Sequence, residues 1–178
     1  VDLAHTGEDE SVYISVDGNG NVFDIEHTAN KKLTDAMGRI RELDSYNDYN
    51  KILIDQTGLG AGVVDQVEEE LGNKVEGIKF TNDRKQSIYS NLKNAFQNQA
   101  ITFRFEPNAG RDSNKMKQQL TALEYDYTST GKLKIAHPSG GHDDFCDALA
   151  LAVWAKNKKN TALSDKESMK PFNLGSLR

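Results

Sequence analysis

One cysteine, three prolines and no long apolar run stand out first in this 178-residue chain. The single cysteine, Cys146, excludes an intrachain disulfide and suits a reducing cytoplasm. The longest uninterrupted apolar stretch, Ala148 to Ala155, is far short of the about 18–20 residues that cross a bilayer, so no membrane is expected. The start, Val1-Asp2-Leu3-Ala4, has neither a basic region nor an apolar core and is not a signal peptide. It also lacks an initiator Met, and the chain is expected to be a piece of something longer. No Gly-x-x-x-x-Gly-Lys-Ser/Thr phosphate loop occurs, so a motor of that type is not among these residues.

The chain does have enough apolar material, 37%, to build a core, and its length suggests one domain, with or without a tail. Net charge is −5, unevenly spread. From Lys156 to Arg178 six basic residues face two acidic ones, a net +4, which leaves −9 for residues 1–155. An acidic body disfavours a nucleic-acid partner unless its acids are gathered in a metal site.

Apolar periodicity predicts an α/β order. Val12–Val16 and Val22–His27 read as strands of a hairpin joined by Asp17-Gly18-Asn19-Gly20-Asn21. A helix is predicted from Asn30 to about Tyr46, then a buried strand Lys51–Asp55 and a helix Gly62–Leu71 closed by Gly72. A strand Val75–Phe80, a helix Arg84–Gln99, a short strand Ile101–Phe105 and a helix Asp112–Leu123 follow. A second hairpin pairs Glu124–Thr128 with Lys132–Ala136, and the last helix is His142–Lys156. Residues 1–156 are read as the domain, and residues 157–178 as a basic, flexible tail. The pattern implies a mixed sheet with antiparallel edge strands and helices on its faces.

Carboxylates carry the chemical signal. Asp2 lies in an apolar strand start, Asp55 ends the strand Ile52-Leu53-Ile54, and Asp143, Asp144 and Asp147 open an otherwise apolar helix. Burying a carboxylate is costly unless it is paired or holds a metal. Each has a plain alternative: a terminal residue, a strand-end turn former, a first-turn acid complementing the helix dipole. Three such placements together favour hard divalent cations, and two clamped ions suit phosphodiester hydrolysis. Asp144 and Asp147 share a helical face, while Asp143 points partly away.

Asp2-Leu3-Ala4 with Gly7-Glu8-Asp9-Glu10-Ser11-Val12, then Ile54-Asp55-Gln56-Thr57-Gly58-Leu59-Gly60, then His142-Asp143-Asp144-Phe145-Cys146-Asp147-Ala148 resembles the nuclease domain of the large terminase subunit of tailed viruses. The resemblance covers about residues 1–156. It implies a ribonuclease H-like fold and a metal-dependent endonuclease that cuts duplex viral DNA during genome packaging. It implies Asp2, Asp55 and Asp144 as catalytic metal ligands, Asp143 as an auxiliary ligand, and Mg²⁺ or Mn²⁺, two ions per site. Implied partners are double-stranded DNA, a portal protein, a small terminase subunit and an N-terminal ATPase domain that this chain does not contain. The implied place is the host cytoplasm, transiently at the procapsid portal. Lys85, Lys132 and Lys134 are candidate phosphate contacts, with solvated surface charge the equal alternative. The rivals are a Holliday-junction resolvase or ribonuclease H, and a non-catalytic portal or capsid docking module.

Other signals are weaker. Gly58-Leu59-Gly60-Ala61-Gly62 approximates a dinucleotide-binding turn but has Val63 where a glycine is needed, so a tight turn near the acids is expected. Asp17-x-Asn19-x-Asn21 departs from a calcium loop at its sixth and twelfth positions and reads as a hairpin turn. His142 is expected as a helix-start residue, and Cys146 and Trp154 as packing.

Overall fold

The computed structural model describes residues 1–4, 10–29, 32–58, 60–103, 111–127, 133–136 and 142–168. Strands β1 (Glu10–Val16) and β2 (Asn21–Ala29) form the first hairpin, antiparallel with Val12 opposite His27 and Ile14 opposite Ile25. Its turn is built by one side chain. The Asp17 carboxylate accepts the backbone N–H groups of Asn19 (2.8 Å) and Asn21 (2.9 Å) and the Asn21 amide (2.7 Å), so the loop is a turn rather than an ion site. Gly20 has φ +92°, and a Cβ there would come within 2.0 Å of the Ala100 carbonyl oxygen.

Next come α1 (Leu33–Asn47), β3 (Ile52–Asp55), α2 (Gly60–Leu71), β4 (Val75–Ile78), α3 (Asn82–Gln97), β5 (Thr102–Phe103), α4 (Arg111–Ala122), β6 (Glu124–Tyr127), β7 (Leu133–Ala136) and α5 (Asp144–Ser168). β2 pairs with β5, β3 pairs with β4, both parallel, and β6 pairs with β7 as a separate antiparallel ribbon. The first residues join the larger pieces. Asp2 exchanges two backbone bonds with Val12 (2.9 and 2.8 Å), while Asp55 N–H donates to the Val1 carbonyl (2.9 Å) and the Val1 nitrogen to the Leu53 carbonyl (2.7 Å). The order across the molecule is therefore β5-β2-β1-segment 1–3-β3-β4, a mixed arrangement with Asp2 bridged to β1 on the segment between β1 and β3, and Asp55 at the end of β3. The antiparallel hairpin lies toward one edge, and the two-residue β5 lies outside it.

Side-chain alternation builds a core on each face. Tyr13, Ile52 and Ile54 point with Leu3 toward α1 and α2, against Met37, Ile40, Val63 and Val67. Val12, Ile14 and Leu53 point the other way, toward α3, α4 and α5, against Ile88, Tyr89, Leu92, Met116, Leu149 and Leu151. The small side chains Ala148 and Ala150 let α5 lie close on β1, and Phe145, Leu149 and Leu151 are fully buried. Each such large apolar side chain contributes about 1.5–3 kcal/mol. α3 starts where Thr81 caps it, its hydroxyl accepting the Arg84 N–H (3.3 Å). α2 stops at Gly72, φ +71°.

One boundary differs from the sequence expectation. α5 continues twelve residues past Lys156, to Ser168. The apolar pattern fades there, yet nothing breaks a helix before Pro171. The first residues assigned to the tail also touch the body: Asn157 donates to Asn91 (2.9 Å) and Lys158 to Glu76. Residues 169–178 lie outside the described part.

Candidate active site

Asp2 and Asp55 are neighbours because segment 1–3 runs beside β3, and the first turn of α5 packs over the same end of the sheet. All three positions are deep: Asp2, Asp55 and Asp147 are each less than a tenth exposed. Asp143 and Asp144 are about a fifth exposed at the side chain.

Asp55 is fixed by its own loop. Its Oδ1 accepts the Thr57 N–H (2.8 Å) and the Thr57 hydroxyl (2.6 Å), and Phe80 N–H in turn donates to that hydroxyl (3.4 Å). Thr57 thus ties the end of β3 to the residues after β4 and uses only one oxygen of Asp55. Gly58 takes φ +62° in this loop. Gly60 opens α2 against Asp55 so closely that a Cβ would stand 2.1 Å from the Asp55 carbonyl oxygen. The glycine-rich stretch is a tight turn that seats Asp55, and Leu59 within it lies outside the described residues.

Asp2 is the electrostatic centre. Burial pushes its carboxyl well above the ordinary range, and Asp147, Asp55 and Asp144 push it in the same direction. No donor among the described residues bonds its carboxylate. Asp147 behaves differently. Burial raises it to about 6, against the pull of Lys85, with Asp143 raising it further. Its Oδ1 accepts the Tyr89 hydroxyl and its Oδ2 accepts Lys85 Nζ (2.9 Å). Lys85 Nζ also donates to Asp143 Oδ2 (2.9 Å). Burial alone would lower the Lys85 ammonium, but Asp147 and Asp143 outweigh it and hold it above its ordinary value.

Asp2 thus feels Asp55 and Asp144, the other two acids expected at the site, and it also feels Asp147. The helical spacing placed Asp147 on the face of Asp144, and its position inside an apolar run was the available signal. Asp143 turns to Lys85. Lys85 is not on an open surface but within the acid cluster. Lys134 lies on β7, opposite Asp126 in the ribbon, and β7 packs against α3. Lys132 lies outside the described residues. His142 Nδ1 stands 3.7 Å from Asp144 Oδ2 at the helix start, and Cys146 is a fully buried thiol pushed up by burial and inert. Trp154 packs against the core.

Among the described residues, no three of these side chains close around one point. The donor set nevertheless suits a hard divalent cation, being all oxygen and short of positive charge at Asp2. Carboxylates without a counter-ion repel one another, and a divalent cation relieves that repulsion.

The family model for the terminase RNaseH-like domain matches residues 1–156. No curated protein matches the chain. Among solved structures, the nuclease domain of the large terminase subunit gp2 of bacterial virus Sf6 aligns with a TM-score of 0.73 at 18% identity, over 85% of each chain. The large terminase nuclease of thermophilic phage G20c aligns at 0.70 and 20% identity, over 85% of this chain and 77% of that one. The nuclease domain of Thermus phage P74-26 aligns at 0.60 and 16% identity, over 82% and 78%. The G20c nuclease is also known with bound magnesium, and a Sf6 variant with manganese. The chain belongs to the terminase RNaseH-like domain family, and it shares its fold with these large-terminase nuclease domains.

Proposed function

We propose that this domain hydrolyses phosphodiester bonds of duplex DNA, with Asp2, Asp55 and Asp144 holding Mg²⁺ or Mn²⁺, two ions per site. The observation that carries it is Asp2, a buried carboxylate on which three more carboxylates, Asp147, Asp55 and Asp144, act. When bound, a pair of divalent ions supplies an activated water and stabilises the leaving oxygen. Asp2 presents its carboxylate from the segment bridged to β1, Asp55 from the end of β3, and Asp144 from a helix seated by a buried apolar face. Thr57 orients Asp55. Asp143 keeps Oδ1 for an auxiliary role, since its Oδ2 meets Lys85. Lys134 on β7, and Lys132 two positions before it in the sequence, are positions for phosphate contact. The domain comprises residues 1–156 and the basic segment 157–178 serves partner or DNA contacts. The setting is the host cytoplasm, beside a portal, a small terminase subunit and an ATPase domain.

The test is nicking of a supercoiled plasmid with Mn²⁺ against chelator, with a four-way junction and an RNA–DNA hybrid as further substrates. Metal-dependent nicking of the plasmid that is lost in Asp2→Asn, Asp55→Asn and Asp144→Asn is expected. Exclusive cutting of the junction or the hybrid would move the substrate to a resolvase or ribonuclease H type. No cutting of any substrate would favour a docking module.

A further inference from the structure

Beside the three proposed ligands lies a cluster they do not use: Lys85 and Tyr89 of α3 against Asp143, just before α5, and Asp147 in its first turn. Both pairs are four residues apart and so lie on one helical face each. Asp143 and Asp147 are stacked by the Asp147 N–H donating to the Asp143 carbonyl (2.8 Å). Lys85 Nζ sits 2.9 Å from both carboxylates, and the Tyr89 hydroxyl takes the second oxygen of Asp147. The ammonium also stands 5.5 Å from the ring centroids of Phe80 and Tyr89, and its side chain is three-quarters buried. A lysine ordinarily keeps its charge in water on a mobile stem. This one is fixed where the charge of α5 would otherwise add to the proposed site.

We propose that Lys85 is a positioning residue for the nuclease site: its fixed ammonium takes up the charge of Asp143 and Asp147, locks the first turn of α5 onto α3, and confines divalent metal to the side of Asp2, Asp55 and Asp144. The inference rests on the reading of those three acids as ligands. Both oxygens of Asp147 are committed to α3, so Asp147 is an anchor for the turn that carries Asp144. Without the ammonium, Asp143 and Asp147 become two further anionic donors next to the ions. The site would then bind metal more strongly and in the wrong place.

The test compares the full chain with Lys85→Met, Lys85→Arg and the double variant Lys85→Met with Asp143→Asn. Mn²⁺ binding is followed by calorimetry, bound ions are counted by electron paramagnetic resonance, and kcat and KM are measured for plasmid nicking. Lys85→Met is expected to bind Mn²⁺ several-fold more tightly, or to bind an additional ion, while kcat falls by about 10–100-fold, the usual cost of losing a group that orients metal ligands. KM for DNA should stay close to wild type, Lys85→Arg should recover much of kcat, and Asp143→Asn should bring the metal affinity of Lys85→Met back down. A lysine that merely supports the fold would lose metal affinity and activity together. One that contacts phosphate would raise KM and leave Mn²⁺ binding unchanged. Either result overturns the proposal. If Lys85→Met does not fold, Lys85→Gln, which keeps a donor but not the charge, is read the same way. A wild-type chain that neither binds Mn²⁺ nor nicks would sink the metal-site reading itself, whereas a wild-type chain that does both, beside a Lys85→Met that matches it, overturns the role of Lys85 alone.

Discussion

Asp44 and Asp2 are aspartates of almost equal burial, 7% and 9% exposed, in opposite electrostatic company. Asp44, on α1, has Lys74 Nζ 2.7 Å from Oδ2 and the Tyr49 N–H on Oδ1 (3.2 Å). Its side of the molecule is laced the same way: Arg39 with Glu26 and Glu42, Arg41 with Glu70, Lys51 and Lys158 with Glu76. At the other end of the sheet Asp2 faces Asp147, Asp55 and Asp144. Burial alone therefore does not mark a functional acid. What separates the two regions is whether the fold supplies the counter-charge or leaves it to be brought in.

The sharpest way to break this comparison is substitution on both sides. Asn at Asp2, Asp55 or Asp144 should reduce nicking by more than about 100-fold, beyond what outer groups of a metal site usually contribute. Asp44→Asn should leave nicking intact and cost about 1–2 kcal/mol, less than a fully buried pair because Lys74 reaches water. A plasmid assay and a denaturant melt read the two effects, and loss of nicking in folded Asp44→Asn would erase the distinction.

Metal gives the next effect. If a divalent ion binds only the native state with a dissociation constant of about 1 mM, about 10 mM adds roughly 1.4 kcal/mol. At about 2–4 °C per kcal/mol for a chain of this size, Tm should rise by about 3–6 °C over chelator. Asp2→Asn should raise the chelator Tm slightly and abolish the rise. Equal wild-type curves in Mn²⁺ and chelator would contradict an uncompensated site.

The pH dependence sharpens the same point. Asp2 and Asp147 are raised in the folded state, so the native protein holds protons that the unfolded chain releases. Stability from these groups is present below the ordinary carboxylate pKa of about 4 and is lost as pH rises through the raised values, about 6 for Asp147. Without metal, the Tm of Asp2→Asn should gain on wild type from about pH 4 upward, as the unfolded wild-type chain releases the Asp2 proton that the native state holds. Metal binding, which needs the carboxylates ionised, should weaken toward acid pH. A constant Tm difference across that range would remove the titration from the account.

The smallest effect lies at the end of α5. Truncation after Lys158 should change Tm by under about 1 °C, whereas truncation after Lys156 also removes the contacts to Asn91 and Glu76 and should cost about 1–2 °C, in keeping with partly exposed pairs. Differential scanning fluorimetry separates the two, and a large loss from the shorter truncation would show that the later turns pack on the body.

Much of this was legible in the sequence because it depended on local periodicity. The hairpin at Asp17–Asn21, the strand ending at Asp55 and the apolar face of α5 each follow from residues within a few positions. Asp2, Asp55 and the acids that open α5 stood out because an ionised group in an apolar element needs a reason, and the family resemblance singled out Asp144 among the latter. The counter-charge was not legible. Lys85 lies 58 and 62 residues from Asp143 and Asp147, and Arg84-Lys85 at a helix start looks like ordinary surface charge. Only the packing of α3 on α5 turns that lysine inward. Asp147 shared a face with Asp144, but spacing within one helix cannot say which acid is already taken by a neighbouring helix. The end of α5 was missed because helix continuation there rests on the absence of a breaker rather than on an apolar stripe.

α5 also works as a lever arm. It begins with Asp144 at the site and runs for 25 residues along α3 and β1 toward the opposite side of the molecule. Such a helix is about 37 Å long, so pivoting about its middle by about two degrees moves each end by roughly 0.6 Å. Catalytic groups tolerate misplacement of about 0.5 Å. A load applied at the far end of the helix, near Ser168, is therefore transmitted to the position of Asp144 without unfolding anything between them.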